Sequence, residues 1–448
     1  MIGAERRRWH DHAAQRSAMA MQKPHSPDER ILWRQGWEAP RWPVLDHDED
    51  VDVAIVGGGL TGLSLAHHLQ PHTRVAVLDA RQIAYGASGR SNGQVIPHHS
   101  GRSPAEVDAA LGPGHGPRFN APVGSAAASL FELVRTLDID CAASSRGWIQ
   151  AAHSIGQLRR ARRIFEEWRA LGARVEWLDQ DAVAARLGSS GYHGGWKALD
   201  GGTINPAQFV AGLARNFAER GGLIFEHSPA RSITHEAKRW RVRAPRGTIT
   251  AATVLIATSA YTDSLWPELA RAFVPVRVYQ VASAPLPPEL RARILPGREG
   301  MSDTRHDLRY IRYAADHRLI TGHSHIFWSD ARRRGLREGP RIIARIYPDL
   351  PPIPVEEYWE GLIAVTLDRF PRIVRLDRDV YFIGAYSGRG VALSVALGRS
   401  VADWLVGRLA ENELPLPVTS LQPVPVHGLA KAAVGLAQQW ARVLDRVA

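Results

Sequence analysis

The near-continuous apolar run Val51-Asp52-Val53-Ala54-Ile55-Val56 leads straight into Gly57-Gly58-Gly59-Leu60-Thr61-Gly62. Helical spacing follows through Leu60, Leu63, Leu65 and Leu69, and then a second apolar run, Val75-Ala76-Val77-Leu78. This order predicts a buried parallel strand, a glycine turn, a helix and a second strand, which is one βαβ unit. In such a unit Gly57 permits the tight turn, Gly59 lets backbone approach a pyrophosphate, and Gly62 lets helix and strand pack closely. The helix N-terminus offers free N–H groups and partial positive charge to phosphate. Asp79 closes the second strand 22 residues after Gly57, where a carboxylate can accept from ribose hydroxyls. The unit therefore predicts a dinucleotide site, while leaving NAD and FAD both open.

The rest of the chain bounds the alternatives. At 448 residues it exceeds one compact core, so two domains are expected. No run of about 18 apolar residues occurs, which excludes a spanning helix of ordinary composition. Met1 to Glu29 is polar and basic without an apolar middle, which predicts a cytoplasmic chain with a loose leader. The net charge of +11 is carried almost entirely by arginine, since only Lys23, Lys197, Lys238 and Lys431 are lysines. Those arginines are scattered among acids, so a general surface is expected and no nucleic-acid partner. The single cysteine, Cys141, excludes a disulfide framework; Asp138-Ile139-Asp140-Cys141 reads as a strand start with a buried thiol. His98-His99 lacks further ligands at metal spacing and reads as a loop pair.

Along the chain, residues 24–50 read as an extended arm anchored by Trp33, Trp37 and Trp42. Helices are expected over 124–137, 156–171, 206–219, near 333–347 and over 391–405. Short strands are expected between Leu223 and Ala257 and through 273–365, with a further strand at Val380–Ile383. A closing helix over 428–447 would set Leu429, Ala433, Leu436, Trp440 and Val443 on one face.

Several motifs then fall in a recognisable order. Asp79-Ala80-Arg81 precedes Gly86-Ala87-Ser88-Gly89-Arg90-Ser91-Asn92-Gly93-Gln94. Gly202-Thr203-Ile204-Asn205-Pro206 opens a helix, and Ala230 is expected on the strand preceding Val254-Leu255-Ile256-Ala257-Thr258-Ser259-Ala260-Tyr261. Later come Arg277-Val278-Tyr279, Asp303 to Arg312, Tyr358-Trp359-Glu360-Gly361, and Gly384-Ala385-Tyr386-Ser387-Gly388-Arg389-Gly390-Val391. Residues 51 to about 407 thereby resemble FAD-dependent oxidoreductases of the D-amino-acid-oxidase superfamily, most nearly the γ-glutamylputrescine oxidase branch. The departures are Ser259 for the usual Asn and Arg389 for the usual His.

The resemblance implies an α/β fold (α+β overall), with a Rossmann-like FAD-binding domain and a discontinuous mixed-sheet substrate domain. Its expected pieces are the arm 1–50; FAD-binding parts at 51–120, 201–265 and 366–410; a shared segment at 121–200; the substrate domain 266–365; and a C-terminal amphipathic helix, 411–448. It implies that FAD is held by Gly57, Gly59, Gly62, Asp79, Ala80, Ser88, Gly89, Arg90, Gly93, Gln94, Ala230, Thr258, Gly388, Gly390 and Val391. With no His within Gly86 to Gln94 and Cys141 read as core, noncovalent FAD is expected. Tyr310, Arg312, Trp359, Tyr386 and Arg389 are the expected catalytic or substrate-lining residues: aromatic walls suit an alkylamine or cation, arginine suits a carboxylate. Arg389 would add a cation beside the flavin or grip a substrate. The implied reaction oxidises an amine or amino-acid carbon–nitrogen bond by hydride transfer to the flavin, yielding an imine and then an aldehyde or keto product. The electron acceptor, oxygen or a carrier, stays open, as does oligomeric state. A tRNA-modifying flavoprotein and a noncatalytic flavin-holding subunit are weaker alternatives.

Overall fold

The computed structural model describes residues 31–306, 308–324 and 330–428. The basic leader and the apolar face Leu429–Val443 lie outside them.

The first strand, Glu49–Val56, explains its own composition. Val53 and Ile55 enter one hydrophobic core, while Ala54 and Val56 enter another on the opposite face. A strand covered on both sides has no solvent face to mark with polar residues. It pairs in parallel with Val75–Leu78 on one side and Thr248–Ile256 on the other. The sheet extends past Val75–Leu78 to Leu223–Phe225, and past Thr248–Ile256 through Val380–Gly384 and Arg372–Asp377 to Val418–Ser420. The hairpin Ser232–Glu236/Arg239–Arg243 is appended to Thr248–Ile256. Helices Leu60–Leu69 and Gly390–Leu405 pack against each other, with Ser64 Oγ donating to Val395 O at 3.0 Å. A Cβ on Gly398 would lie 2.4 Å from that same Oγ, so the two helices meet almost backbone to backbone.

A second sheet is mixed and runs Val355–Val365, Val274–Pro285, Arg318–Ser324, Tyr310–Tyr313, Gly300–Asp303, Trp148–Ala151, Gly195–Ala198, Val175–Leu178. The chain crosses between the sheets repeatedly: strands at 148–198 and 274–365 belong to the second, those at 49–78, 223–256 and 372–384 to the first. A two-stranded link, Gln94–Val95 with Gly202–Thr203, joins the loops between them.

Three local readings are corrected. The helix expected at 124–137 begins at Pro104, capped reciprocally by Ser103 and Glu106, and runs to Thr136. Within its Gly- and Pro-rich N-terminal half the chain kinks at Gly112 (φ 75°, ψ 174°) and restarts at Pro113, whose missing N–H is tolerated in a first turn. Cys141 is buried in a loop, not at a strand start, and burial pushes its thiol up to about 12. Within 411–428 the described chain forms a short turn and the edge strand Val418–Ser420, so a helix does not fill 411–448. The arm, by contrast, is anchored as its tryptophans suggest, with Trp33 buried and Trp37 and Trp42 half-buried.

An ion pair ties the far edge of the second sheet. Glu299, 1% exposed, accepts from Lys197 Nζ at 2.8 Å and from Arg186 Nη1 at 3.1 Å. Removing one partner of a buried pair strands the other charge, which costs about 3–5 kcal/mol. Glu299→Ala is expected to lower unfolding free energy by roughly that amount in denaturant titrations. The pair Glu299→Leu/Lys197→Met should recover most of it; a loss under about 1 kcal/mol for the single variant would rank the pair with surface bridges.

Candidate functional site

The turn after the first strand is built by contact. Gly57 adopts φ 114°, and a Cβ there would sit 2.9 Å from Ala257 O of the neighbouring strand end. A Cβ on Gly62 would fall 2.0 Å from Gly57 O, so the helix rests directly on the turn. Gly58 N–H donates to Asp79 Oδ2 and Arg81 N–H to Oδ1, both at 2.8 Å. Ser88 Oγ accepts from Leu60 N–H at 2.9 Å, seating the Gly86–Gly89 loop on the helix N-terminus. Other first-turn N–H groups have no intrahelical partner and carry the helix's partial positive charge.

This cradle opens on a cavity of about 870 Å³, walled by both sheets. A second helix N-terminus enters it. Between Gly384 and Gly390 the backbone turns left-handed at Ala385 (φ 61°), Ser387 (φ 50°) and Gly388 (φ 87°). Non-glycine residues held there store strain and persist only where their surroundings fix them. Here Ser387 N–H donates to Ala364 O at 3.0 Å, Ser387 Oγ accepts from Thr366 N–H at 3.2 Å, and Ser387 O accepts from Ser100 Oγ at 3.0 Å. Helix Gly390–Leu405 then starts without a side-chain cap. Tyr386 accepts from Thr61 Oγ1 at 3.0 Å, linking the two helix starts, and burial holds its phenol neutral by raising its pKa.

The wall from the second sheet is polar. Arg277 pairs with Glu360 Oε1, and Tyr358 donates its hydroxyl to Oε2 at 2.7 Å. Arg90 donates to Tyr85 O at 2.7 Å and Glu360 O at 2.9 Å, with its guanidinium 4.9 Å from the Tyr85 ring centre.

Of the residues singled out from sequence, Gly57, Gly59, Asp79, Ala80, Ser88, Arg90, Ala230, Thr258, Tyr386, Gly388, Gly390 and Val391 line this cavity. Ala230 does so from a loop, not from a strand. Gly62, Gly89, Gly93 and Gln94 stand behind the wall. A Cβ on Gly89 would lie 1.9 Å from Ala84 O, and Gln94 Nε2 donates to Met301 O at 3.2 Å.

Four catalytic candidates are placed off the wall. Tyr310 donates to Gln280 Oε1 at 3.2 Å. Arg312 donates from Nε to Tyr313 O and from Nη1 to the carbonyls of Asn92 and Ile204. Trp359, fully buried, donates to Arg90 O at 2.9 Å. Arg389 turns its guanidinium onto Trp148, 5.8 Å from the ring centre, and burial lowers it to about 10. Residue type alone does not say which face of a strand or loop a side chain takes. Conversely, Glu360, Arg277, Tyr261 and Ser91 line the cavity without having been singled out as site residues. A charged Glu360 among Tyr358, Trp359 and Leu362 is a visible signal, but its partner emerges only with the pairing of Tyr279 opposite Glu360.

His98 and His99 are buried: His98 accepts from Trp168 Nε1 at 3.3 Å, and His99 bonds Asn120 Oδ1 at 2.6 Å. Among the described residues no group of three or more His, Cys, Asp or Glu side chains could hold a metal. Nor, among them, is any helix long and apolar enough to cross a membrane.

The profile of the FAD dependent oxidoreductase family matches residues 52–404. The chain belongs to this family. It is 32% identical over 439 residues to a probable oxidoreductase, OrdL, of Rhizobium meliloti, covering 96% of this chain and all of that one. It is 30% identical to gamma-glutamylputrescine oxidoreductase of Escherichia coli, covering 81% and 85%. In fold it matches glycine oxidase from Geobacillus kaustophilus with TM-score 0.68 at 23% identity, over 80% of this chain and 95% of that one. The chain is thus an FAD-dependent oxidoreductase, and its residues fit the cofactor. Asp79 lines the cavity where a carboxylate would accept from ribose hydroxyls, two helix N-termini open on it with N–H groups that would meet phosphate or an anionic ring, and a Cβ on Gly57 or Gly62 would collide with backbone.

Burial in the cavity wall, with Glu226 adding repulsion, pushes Asp79 up to about 6. A raised acid holds its proton more tightly folded than unfolded. The apoprotein therefore loses stability from Asp79 as pH climbs from roughly 4 to 6. The ionised form is the stronger acceptor for ribose hydroxyls, so FAD affinity should rise with pH through about 6 and flatten above it. Asp79→Ala is expected to weaken FAD binding about 10- to 100-fold and remove that rise, measured by apoprotein titration at several pH values. An unchanged profile would place the ribose acceptor elsewhere.

Arg389 gives a second test. Its charge is desolvated and lies off the cavity wall, so Arg389→Gln should leave flavin reduction potential near wild type and cost no thermal stability. A marked fall in potential would put the guanidinium beside the flavin.

Proposed function

We propose that this chain oxidises the carbon–nitrogen bond of an amine, with FAD held noncovalently. Bound FAD supplies a two-electron acceptor for hydride from the carbon bearing nitrogen, and water then hydrolyses the substrate's imine to a carbonyl product. The protein's part is to orient the amine, keep it neutral and exclude water. The charged residues of the cavity lining are formally balanced, Arg81, Arg90 and Arg277 against Asp79, Asp263 and Glu360, so the lining adds no net charge to hold an ammonium. Tyr386, neutral and hydrogen-bonded, contributes a fixed phenol rather than a base.

The observation that carries amine over amino acid is the commitment of the arginines. Arg90 is bound to two carbonyls and Arg277 to Glu360, so neither is preset for a substrate carboxylate. The gamma-glutamylputrescine oxidoreductase relative points the same way. Noncovalent attachment is supported by a cavity whose described lining holds no His or Cys.

The test is anaerobic reduction of the yellow protein by matched amines and amino acids. Alkylamines should bleach the flavin band, while α-amino acids of equal size should do so far more slowly. Reduction by amino acids alone would overturn the amine reading. Admitting air to the reduced protein, then a quinone, separates an oxidase from a dehydrogenase. Acid precipitation should leave all flavin in the supernatant.

A further inference from the structure

Residues 90–92 lie between the cavity and a buried group of three donors. Trp359 Nε1 donates to Arg90 O at 2.9 Å, Trp33 Nε1 to Ser91 O at 2.8 Å, and Arg312 Nη1 to Asn92 O at 3.1 Å. Three successive carbonyls are thus each taken by a different side chain. The donors also pack on one another: the Trp33 and Trp359 rings meet edge to face at 5.6 Å, and the Arg312 guanidinium lies 5.1 Å from the Trp33 ring centre. None of the three lines the cavity, whereas Arg90 and Ser91 do. The carbonyls are therefore drawn off the wall, and Ser91 Oγ and Asn92 Oδ1 are left buried without a hydrogen-bond partner.

We propose that Trp33 is a positioning residue for the flavin site, the middle clamp that fixes the Arg90–Asn92 loop against the cofactor from the arm outside the family segment. The other two donors lie inside the family-matched residues 52–404, but Trp33 precedes them. The arm is built to hold it there. Asn205 Nδ2 donates to Trp33 O at 3.1 Å, while Arg34 donates to Gln82 Oε1 at 3.1 Å and Ile83 O at 3.3 Å. The same short turn, Leu32–Arg34, thus grips both ends of the loop that leads from Asp79 to Gln94. Carbonyl dipoles left on that wall would face a group that gains negative charge on reduction, so drawing them away favours the reduced cofactor as well as its retention.

Trp33→Phe keeps an aromatic ring in place but removes the indole N–H together with its five-membered ring, leaving a buried carbonyl unpaired. Flavin release from the holoenzyme, followed by the rise in free-flavin fluorescence on dilution, is expected to be about tenfold faster. The FAD-induced rise in unfolding midpoint should shrink, with the apoprotein midpoint changing less than the holoprotein's. Release at the wild-type rate would overturn the proposal. So would equal falls in both midpoints, which is what a merely structural tryptophan gives. Should Trp33→Phe fail to fold, hydrogen exchange on the wild-type chain decides. Coupling is reciprocal, so adding FAD to apoprotein should protect the Leu32–Arg34 turn together with residues 90–94. Protection of 90–94 with none in the turn would overturn it.

Discussion

Two helix N-termini converge on one cavity, and the hydrogen bond from Thr61 to Tyr386 ties the first turn of one to the loop that leads into the other, across 325 residues of sequence. Much of the fold serves that convergence. Each helix brings unsatisfied N–H groups and partial positive charge, worth most where water is excluded. The close packing of Leu60–Leu69 on Gly390–Leu405, with Ser64 bonded to Val395 O, keeps the two termini in register. Each start also rests on strained or crowded backbone: Gly57 at φ 114° for the first, Ala385 and Ser387 in the left-handed region for the second. Strain of this kind holds only where several elements over-determine it. The Ser387 contacts to Ala364, Thr366 and Ser100 are those elements.

What was legible in the sequence follows from how local each signal is. The strand, glycine turn, helix and Asp79 lie within 30 residues, and each constrains its neighbours, so the cofactor cradle could be read directly. Helix Pro206–Glu219 was equally plain, because Asn205 caps it and Pro206 opens it. The helix from Pro104 was not: Gly112 and Pro113 carry breaker signals that a kink satisfies without ending the helix. The substrate side was least legible. Whether Arg312 faces a ligand or a carbonyl depends on Ile204 and Asn92, more than 100 residues away in sequence.

That failure has one physical origin. Loops around a cofactor must expose N–H groups and small side chains inward, and their carbonyls then need donors behind them. Tryptophan and arginine are suited to that task, since each couples a rigid apolar body to an N–H donor and survives burial by packing. They are also the residue types expected in a substrate pocket. Composition therefore cannot separate a residue that touches substrate from one that holds the wall. Only the side of the loop decides, and here Trp359 and Arg312 stand behind it while Arg277 and Glu360 stand in front.

The Asp79 end of the cavity shows the same economy in its charges. Asp79 and Glu226 repel across the loop that begins at Ala80, and Glu226 is itself held by the N–H groups of Ile83 and Trp42. Arg34 sits close enough to favour both carboxylates, yet its own charge is depressed, first by burial and then by Arg90. Neither acid is neutralised by a direct ion pair among the described contacts. The backbone N–H groups of Gly58 and Arg81 instead hold Asp79 in place while leaving it incompletely compensated. A carboxylate fixed in position but short of donors is one that ribose hydroxyls can complete. Backbone donors thus fix the position of Asp79, and preorganisation of that kind lowers the ordering cost of binding.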